Sequence, residues 1–150
     1  MPESDYPPFG FHFLVTFNGL GLGDKSRDSF FQSVTGLSVE VQTESIREGG
    51  ENRFEHVLPL RSKYSTLTLK RGVFKDSGLI TWSMDAFQNM IYKPVDLIVS
   101  LLNEQHEPLM SWIVIHAWPK KWSVSDFNAE QSTLVIETME LNYNFFQFKK

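Results

Sequence analysis

Apolar side chains fall at alternate positions along most of this chain. That period fits a strand, because only in an extended backbone do every second side chain share one face. Phe11, Phe13, Val15 and Phe17 line one face of a first strand, with His12, Leu14 and Thr16 on the other. Val39 and Val41 alternate with Ser38, Glu40 and Gln42, and Leu67 and Leu69 with Thr66, Thr68 and Lys70, which predicts two half-buried strands. Residues 54–60 make a weaker strand. Residues 95–102 and 109–117 are apolar on both faces and suit strands covered on both sides. The last segment, 132–148, places Val135, Met139, Leu141, Tyr143 and Phe145 on one parity, which Glu137 interrupts.

One stretch has the other period. Leu79, Trp82, Ala86, Phe87, Met90 and Ile91 lie along one stripe of a helix over about residues 77–91, with Asp76 or Ser77 as N-cap and Pro94 just beyond its end. One helix among many strands predicts a mainly β fold, an antiparallel barrel or sandwich of two packed sheets with one flanking α-helix. A chain of 150 residues with 41% hydrophobic and 21% charged side chains can bury one sizeable core and not two, so residues 1–150 are read as a single domain. Three stretches are read as connections: the Gly-rich 18–28, the polar 44–53 with Gly49 and Gly50, and 119–131.

Chemistry is hard to find in this sequence. The chain has no cysteine, which removes disulfides, thiolate nucleophiles and Cys-ligated zinc. The run Asn18-Gly19-Leu20-Gly21-Leu22-Gly23-Asp24-Lys25-Ser26 has the look of a phosphate loop, but Asp24 stands where a Walker A loop needs glycine, and its carboxylate would repel a phosphate. His12, His56, His106 and His116 have no metal-binding spacing, and His116, inside an apolar strand, reads as a core or interface histidine. No serine sits in a nucleophile elbow, and Glu137 and Glu140 point to opposite faces of one strand. The expectation is a protein that is not an enzyme, with no catalytic, cofactor-binding or metal-binding residues. A net charge of −4 disfavours nucleic acid as a tightly bound partner. The acidic first residues and the lack of a long apolar run predict a protein made in the cytoplasm, without a signal peptide or a membrane-spanning segment. Trp112, Trp118 and Trp122, around Pro119-Lys120-Lys121, suit either stacking on bases or sugars or, more commonly, packing at a barrel end or subunit contact.

Several short runs, taken in order, give a more specific reading: Ser33-Val34-Thr35-Gly36-Leu37, Glu44-Ser45-Ile46-Arg47-Glu48-Gly49-Gly50, Leu58-Pro59, and Leu67-Thr68-Leu69-Lys70-Arg71-Gly72. Trp82 in the helix, Ala117-Trp118-Pro119 with Lys121-Trp122, and the closing Ile136-Glu137-Thr138-Met139-Glu140-Leu141 extend the pattern. In this order and spacing the chain resembles the tail tube proteins of contractile phage tails and phage tail-like contractile injection systems. It departs from them at His116, where the family often has Asn, and in the aromatic tail from Asn144 to Lys150.

The resemblance implies a structural subunit that forms homohexameric rings stacked into a tube inside a sheath, with cargo delivered through the lumen. Its implied partners are other copies of the chain, sheath and baseplate subunits and the cargo, within a virion tail or injection particle. It also implies ring or subunit contacts through Glu44, Arg47, Glu48, Gly49, Gly50 and Arg53, through Lys70, Arg71 and Gly72, and through Trp118, Pro119 and Trp122. The alternatives are a tube-initiating paralogue near the baseplate and a carbohydrate- or protein-binding β-sandwich using the three tryptophans.

Overall fold

The computed structural model describes residues 12–20, 30–47, 49–50, 53–73, 77–126 and 135–149. Within them the alternating segments form ten strands: β1 (His12–Phe17), β2 (Phe30–Phe31), β3 (Ser33–Thr35), β4 (Val39–Ile46), β5 (His56–Tyr64), β6 (Leu67–Gly72), β7 (Val95–Leu102), β8 (Pro108–Val124), β9 (Ile136–Asn142) and β10 (Phe145–Lys149). The helical stretch forms α1 (Gly78–Asn89). All strand pairs are antiparallel. A first sheet runs β2-β1-β7-β8-β10 and a second runs β8-β9-β6-β3, so that β8 belongs to both. On the far side β2 and β3 are separated only by Gln32, whose N–H donates to Lys70 O at 2.9 Å. The result is a sandwich joined along both sides, and its core is the shared inner face, where Val15, Leu97, Val99 and Val114 meet Leu67, Leu69, Met139 and Leu141, all fully buried. β4 and β5 form a separate two-stranded ribbon.

The crossing of β8 from one sheet to the other is a local backbone event. Val95 pairs with Ala117 and Leu97 with Val114, so Ile115 and His116 together face the single residue Asp96. This is a bulge, and it bends the strand. His116 takes the left-handed conformation, φ 60°, and its N–H is capped by Asp96 Oδ1 at 3.0 Å. Asn, Asp and His tolerate positive φ best among non-glycine residues. That explains why His can stand where the resembling sequences often have Asn. His116 is exposed, so of the expected core or interface histidine the core reading is corrected, and the residue type is selected by the backbone. Residues 119–124, expected as a connection, are the second half of β8. Pro119 is fully buried beside a register shift, the irregular kind of position at which a strand accepts proline.

α1 begins at Ser77, whose hydroxyl accepts from Ile80 N–H at 3.3 Å, and ends at Met90, φ 55°, with Ile91 N–H donating to Asp85 O at 3.0 Å. Leu79, Trp82, Ser83 and Ala86 are its buried face. Trp82 packs edge-on to Phe17, and its indole N–H donates to Lys93 O at 2.8 Å. The expected stripe runs too far, because the helix stops at Asn89 and Met90 and Ile91 turn outward. Segment 132–148 also divides, with residues 132–134 outside the described ones. β9 ends at Asn142, Asn144 N–H donates to Ile115 O at 2.9 Å, and β10 returns to pair with the first half of β8. A bend between two sheets leaves no break in a period-two pattern.

Glu137 faces the core at 1% exposure, among the buried residues of β9. Its partner is Arg71 on β6, directly opposite, with Nε to Oε2 at 2.9 Å. Trp122 Nε1–H of β8 donates to the other carboxylate oxygen at 2.6 Å, Arg71 Nη2 donates to the Ser77 hydroxyl at 2.6 Å, and the guanidinium lies over the Phe31 ring at 5.0 Å. An unpaired charge left there would be costly. Glu137→Ala is therefore expected to lower stability by about 3–5 kcal/mol in urea unfolding, with Arg71→Met/Glu137→Leu recovering much of the loss. At the β8 bulge, His116→Asn is expected to leave the melting temperature unchanged or raised. His116→Val should cost about 1–2 kcal/mol, because a β-branched residue resists positive φ.

Candidate functional site

The hairpin of β4 and β5 carries the polar run 44–53 at its end and holds the largest group of apolar residues left uncovered among those described. Its root is tightly specified. Gly36 has φ 93°, and a Cβ there would lie 1.9 Å from Thr66 O, so no other residue fits without moving the backbone. Ser38 Oγ donates to Ser65 Oγ at 2.7 Å, and Ser65 N–H to Ser38 O at 3.3 Å. The Tyr64 ring, at the end of β5, stands edge-on to Tyr143 at 6.0 Å and to Phe146 at 5.1 Å. The Tyr143 hydroxyl donates to Gly36 O at 3.4 Å.

Beyond the root both strands are exposed on both faces. Val39, Val41, Ile46, Phe54, Val57, Leu58 and Leu60 are each between 44% and 56% exposed. The expectation that Val39 and Val41 lie on a half-buried strand is therefore corrected for the isolated protomer. The ribbon is held by its own ladder and by an exposed ion pair from Arg47 Nε to Glu55 Oε1 at 3.2 Å. A two-stranded ribbon with apolar residues on both faces is marginal in water, and an exposed apolar patch of this kind is the mark of an interaction surface.

The expected contact residues divide sharply. Glu44 lies in β4 opposite Leu58, Arg47 is in the hairpin ion pair, Gly49 and Gly50 form the turn with Gly50 at φ 93°, and Arg53 is exposed beside it. Glu48 lies outside the described residues. Lys70 is exposed on the outer face of β6, and Gly72 is half-buried opposite Ile136. Arg71 is corrected from a contact residue to a core residue: it shares the parity of Leu67 and Leu69, and its charge is met inside. Pro119 is likewise buried, and Trp122 is half-buried with its N–H on Glu137. Trp118 stands edge-on to Tyr92 at 5.8 Å and Trp112 to Phe148 at 6.0 Å, so each tryptophan has a different partner and the three make no single stacking platform.

Sequence reasoning missed a second apolar surface, at the C-terminal end of α1. Met90 is 78% exposed, with Phe87, Ile91 and Tyr92 exposed around it. Beside them Tyr92, Pro94, His116 and Trp118 line a cleft of ≈290 Å³. The available signal was Pro94, which requires the chain to leave the helix early and so turns the last apolar residues outward. Among the described residues no three His, Asp or Glu side chains come together in a way that could hold a metal ion.

At the hairpin root, burial and, after it, the neighbouring Tyr64 push the Tyr143 hydroxyl up from 10.0 to about 12. The folded state favours the neutral phenol, so this contribution is complete below about pH 10 and is lost as pH rises through about 12. Urea midpoints across that window are expected to fall more steeply for the unsubstituted chain than for Tyr143→Phe.

Comparison with known proteins agrees with this architecture. The family described as T4-like virus tail tube protein gp19 matches residues 10–147. The chain is similar to one from the baseplate of the anti-feeding prophage, six-fold symmetrised, with 26% identity over 96% of this chain and 95% of that one and a TM-score of 0.78. It is also similar to a chain of the sheath–tube complex of the extracellular contractile injection system PVC in its extended state, with 26% identity, coverage of 97% and 93%, and a TM-score of 0.76. A chain from the tail of an empty GTA particle with C6 symmetry, 12% identical over 92% of this chain and 96% of that one, shares the fold at a TM-score of 0.61. No curated protein sequence matches. With two antiparallel sheets, one helix and a family match across nearly the whole described fold, the chain belongs to the T4-like tail tube protein family, a structural component of contractile, phage tail-like particles.

Proposed function

We propose that this protein is the repeating subunit of the inner tube, closing as homohexameric rings that stack around a lumen within a sheath. The observation that carries this reading is the β4–β5 hairpin. It is anchored by an aromatic and hydroxyl root but leaves seven large apolar side chains exposed, which a free monomer would not keep wet. A neighbouring protomer is the partner that every copy meets in the same orientation, and a ring lets each hairpin be covered by the next copy. The exposed end of α1, with Met90 and Tyr92, supplies a second contact area. The six-fold symmetrised baseplate and the sheath–tube complex that hold similar chains support six copies per ring and contact with sheath and baseplate subunits.

The work of such a subunit is mechanical. It bears load and encloses a passage, and no bond is made or broken by its side chains. Among the described residues no helix is long and apolar enough to cross a membrane, and the chain acts as part of a particle.

Electron microscopy of the purified chain, with and without cognate baseplate components, tests the proposal. Tubes that lengthen with time identify the repeating subunit, whereas single rings that only start tubes identify a tube-initiating one. Replacing Val57 and Leu60 with serine is expected to weaken each interface by about 1–3 kcal/mol and abolish tubes. The monomer's thermal transition should hardly move, since both residues are 55–56% exposed in it.

A further inference from the structure

The cleft beside the end of α1 is closed by residues from three places in the chain. Tyr92 and Pro94 come from the turn after the helix, His116 from the β8 bulge and Trp118 from the strand beyond it. The Tyr92 and Trp118 rings stand at 90° with centroids 5.8 Å apart, so they form two walls at a right angle. At ≈290 Å³ the cleft has room for a few side chains and no more. The indole N–H of Trp82 donates to Lys93 O and that of Trp122 to Glu137, whereas that of Trp118 meets no acceptor among the described residues. Two crossed rings and a donor suit a proline-bearing strand. The rings take the pyrrolidine faces, and the N–H takes a carbonyl, which a polyproline backbone leaves without an internal partner.

The chain itself carries such a strand. Residues 1–11, outside the described ones, include Glu3-Ser4-Asp5-Tyr6-Pro7-Pro8-Phe9. We propose that Tyr6-Pro7-Pro8-Phe9 of one copy docks in the cleft of another, with its pyrrolidine rings against Tyr92 and Trp118. The inference rests on the ring-and-tube reading above and adds to it a head-to-tail contact. Reach decides between the same copy and the next. β1 starts at His12 opposite Leu102, whereas the cleft adjoins Val95 and Ala117 at the other end of β7. β7 has 8 residues and spans about 23 Å at ~3.3 Å per residue. From Pro7 to His12 the chain covers at most about 18 Å when fully extended. The prolines therefore cannot fill the cleft of their own protomer. Run and cleft lie at opposite ends of the first sheet, which is the arrangement that a head-to-tail series of identical copies uses.

Charge favours the same pairing. Glu3 and Asp5 precede the prolines, and the exposed Lys93 and Lys120 flank the cleft, against one carboxylate, that of Asp96, which caps the His116 N–H. These exposed charges are screened by salt and set orientation more than affinity. Consecutive prolines have little conformational freedom to lose, so a short run binds without a large ordering cost. One contact of this kind is weak, but a tube repeats it once per copy and gains by avidity.

The chain has no cysteine, so introduced thiols report cleanly. Tagged Phe9→Cys chains are mixed with untagged Met90→Cys chains, whose thiol sits on the exposed rim of the cleft, and treated with a short flexible bismaleimide before and after assembly. A mixed dimer that appears in tubes and not in the unassembled mixture supports the proposal, and tubes without it overturn it. In parallel, a fluorescent peptide of residues 2–11 is titrated into the unsubstituted monomer and into Tyr92→Ala, whose side chain is half exposed and whose thermal transition checks folding. Binding is expected to weaken about tenfold in Tyr92→Ala, and as much when both prolines of the peptide are replaced by alanine. Binding indifferent to both changes overturns the proposal. Peptide binding that depends on Tyr92 and the prolines, in tubes that give no mixed dimer, assigns the cleft to a proline-bearing segment of another subunit type and overturns the head-to-tail contact. If the chain never forms rings while the peptide binds as expected, the ring reading falls and the proline cleft stands. If tubes form and neither the mixed dimer nor peptide binding is seen, only this inference falls.

Discussion

Two charges removed from water are tolerated only where each finds its partner and its remaining hydrogen bonds. Arg71 and Glu137 meet that condition through residues from well-separated parts of the chain. β6 supplies the guanidinium and β9 the carboxylate, β8 supplies the Trp122 N–H, the N-cap of α1 supplies the Ser77 hydroxyl, and β2 supplies the Phe31 ring. The same serine caps the helix, so the helix start is fixed relative to the second sheet by the group that satisfies the arginine. An apolar core of leucines and valines would accept several registers of similar burial. A buried ion pair with directional partners accepts one, because a slip of two residues would keep the apolar parity inside but part the pair and leave both charges buried and unmet.

From that fixed frame the two sheets acquire unlike surfaces. β8 carries the chain from one sheet to the other at His116, and the bend decides which side chains of a continuous strand look outward on each sheet. The first turns Ile98, Ile113 and Ile115 outward, with Leu14, Ser100, Ser111 and Lys149 in a further row of the same parity. The second turns Ser33, Lys70, Thr138 and Ser123 outward in one row, with Ile136 and Trp118 on the same parity to either side.

The hairpin adds a component whose stability is divided along its length. Its root is held by Gly36, the Ser38–Ser65 pair and the Tyr64–Tyr143–Phe146 rings, so its direction is set by the body of the fold. Its far end relies on a ladder and an exposed ion pair, which contribute little in water. Aim is therefore built into the protomer, while burial of the apolar residues is left to assembly. Such a division lets a subunit remain soluble until it meets a growing end.

Period-two alternation determined the mainly β class, most strand positions and the N-terminal side of the helix, since alternation and capping are local properties that neighbours in sequence enforce. The family resemblance was legible too, because short runs kept their order. What only the tertiary structure decided is where local pattern meets distant partners. Arg71 sits on the buried parity of Leu67 and Leu69, and Glu137 on that of Met139 and Leu141; each looks like an interruption until the β6–β9 register sets them face to face. The bend at His116, the split between β9 and β10 and the passage of β8 through Pro119 leave alternation intact, so periodicity could not see them. Val39 and Val41 carry the pattern of a buried strand yet lie exposed, because alternation records that a face is to be covered and does not record whether the cover comes from the same chain or the next.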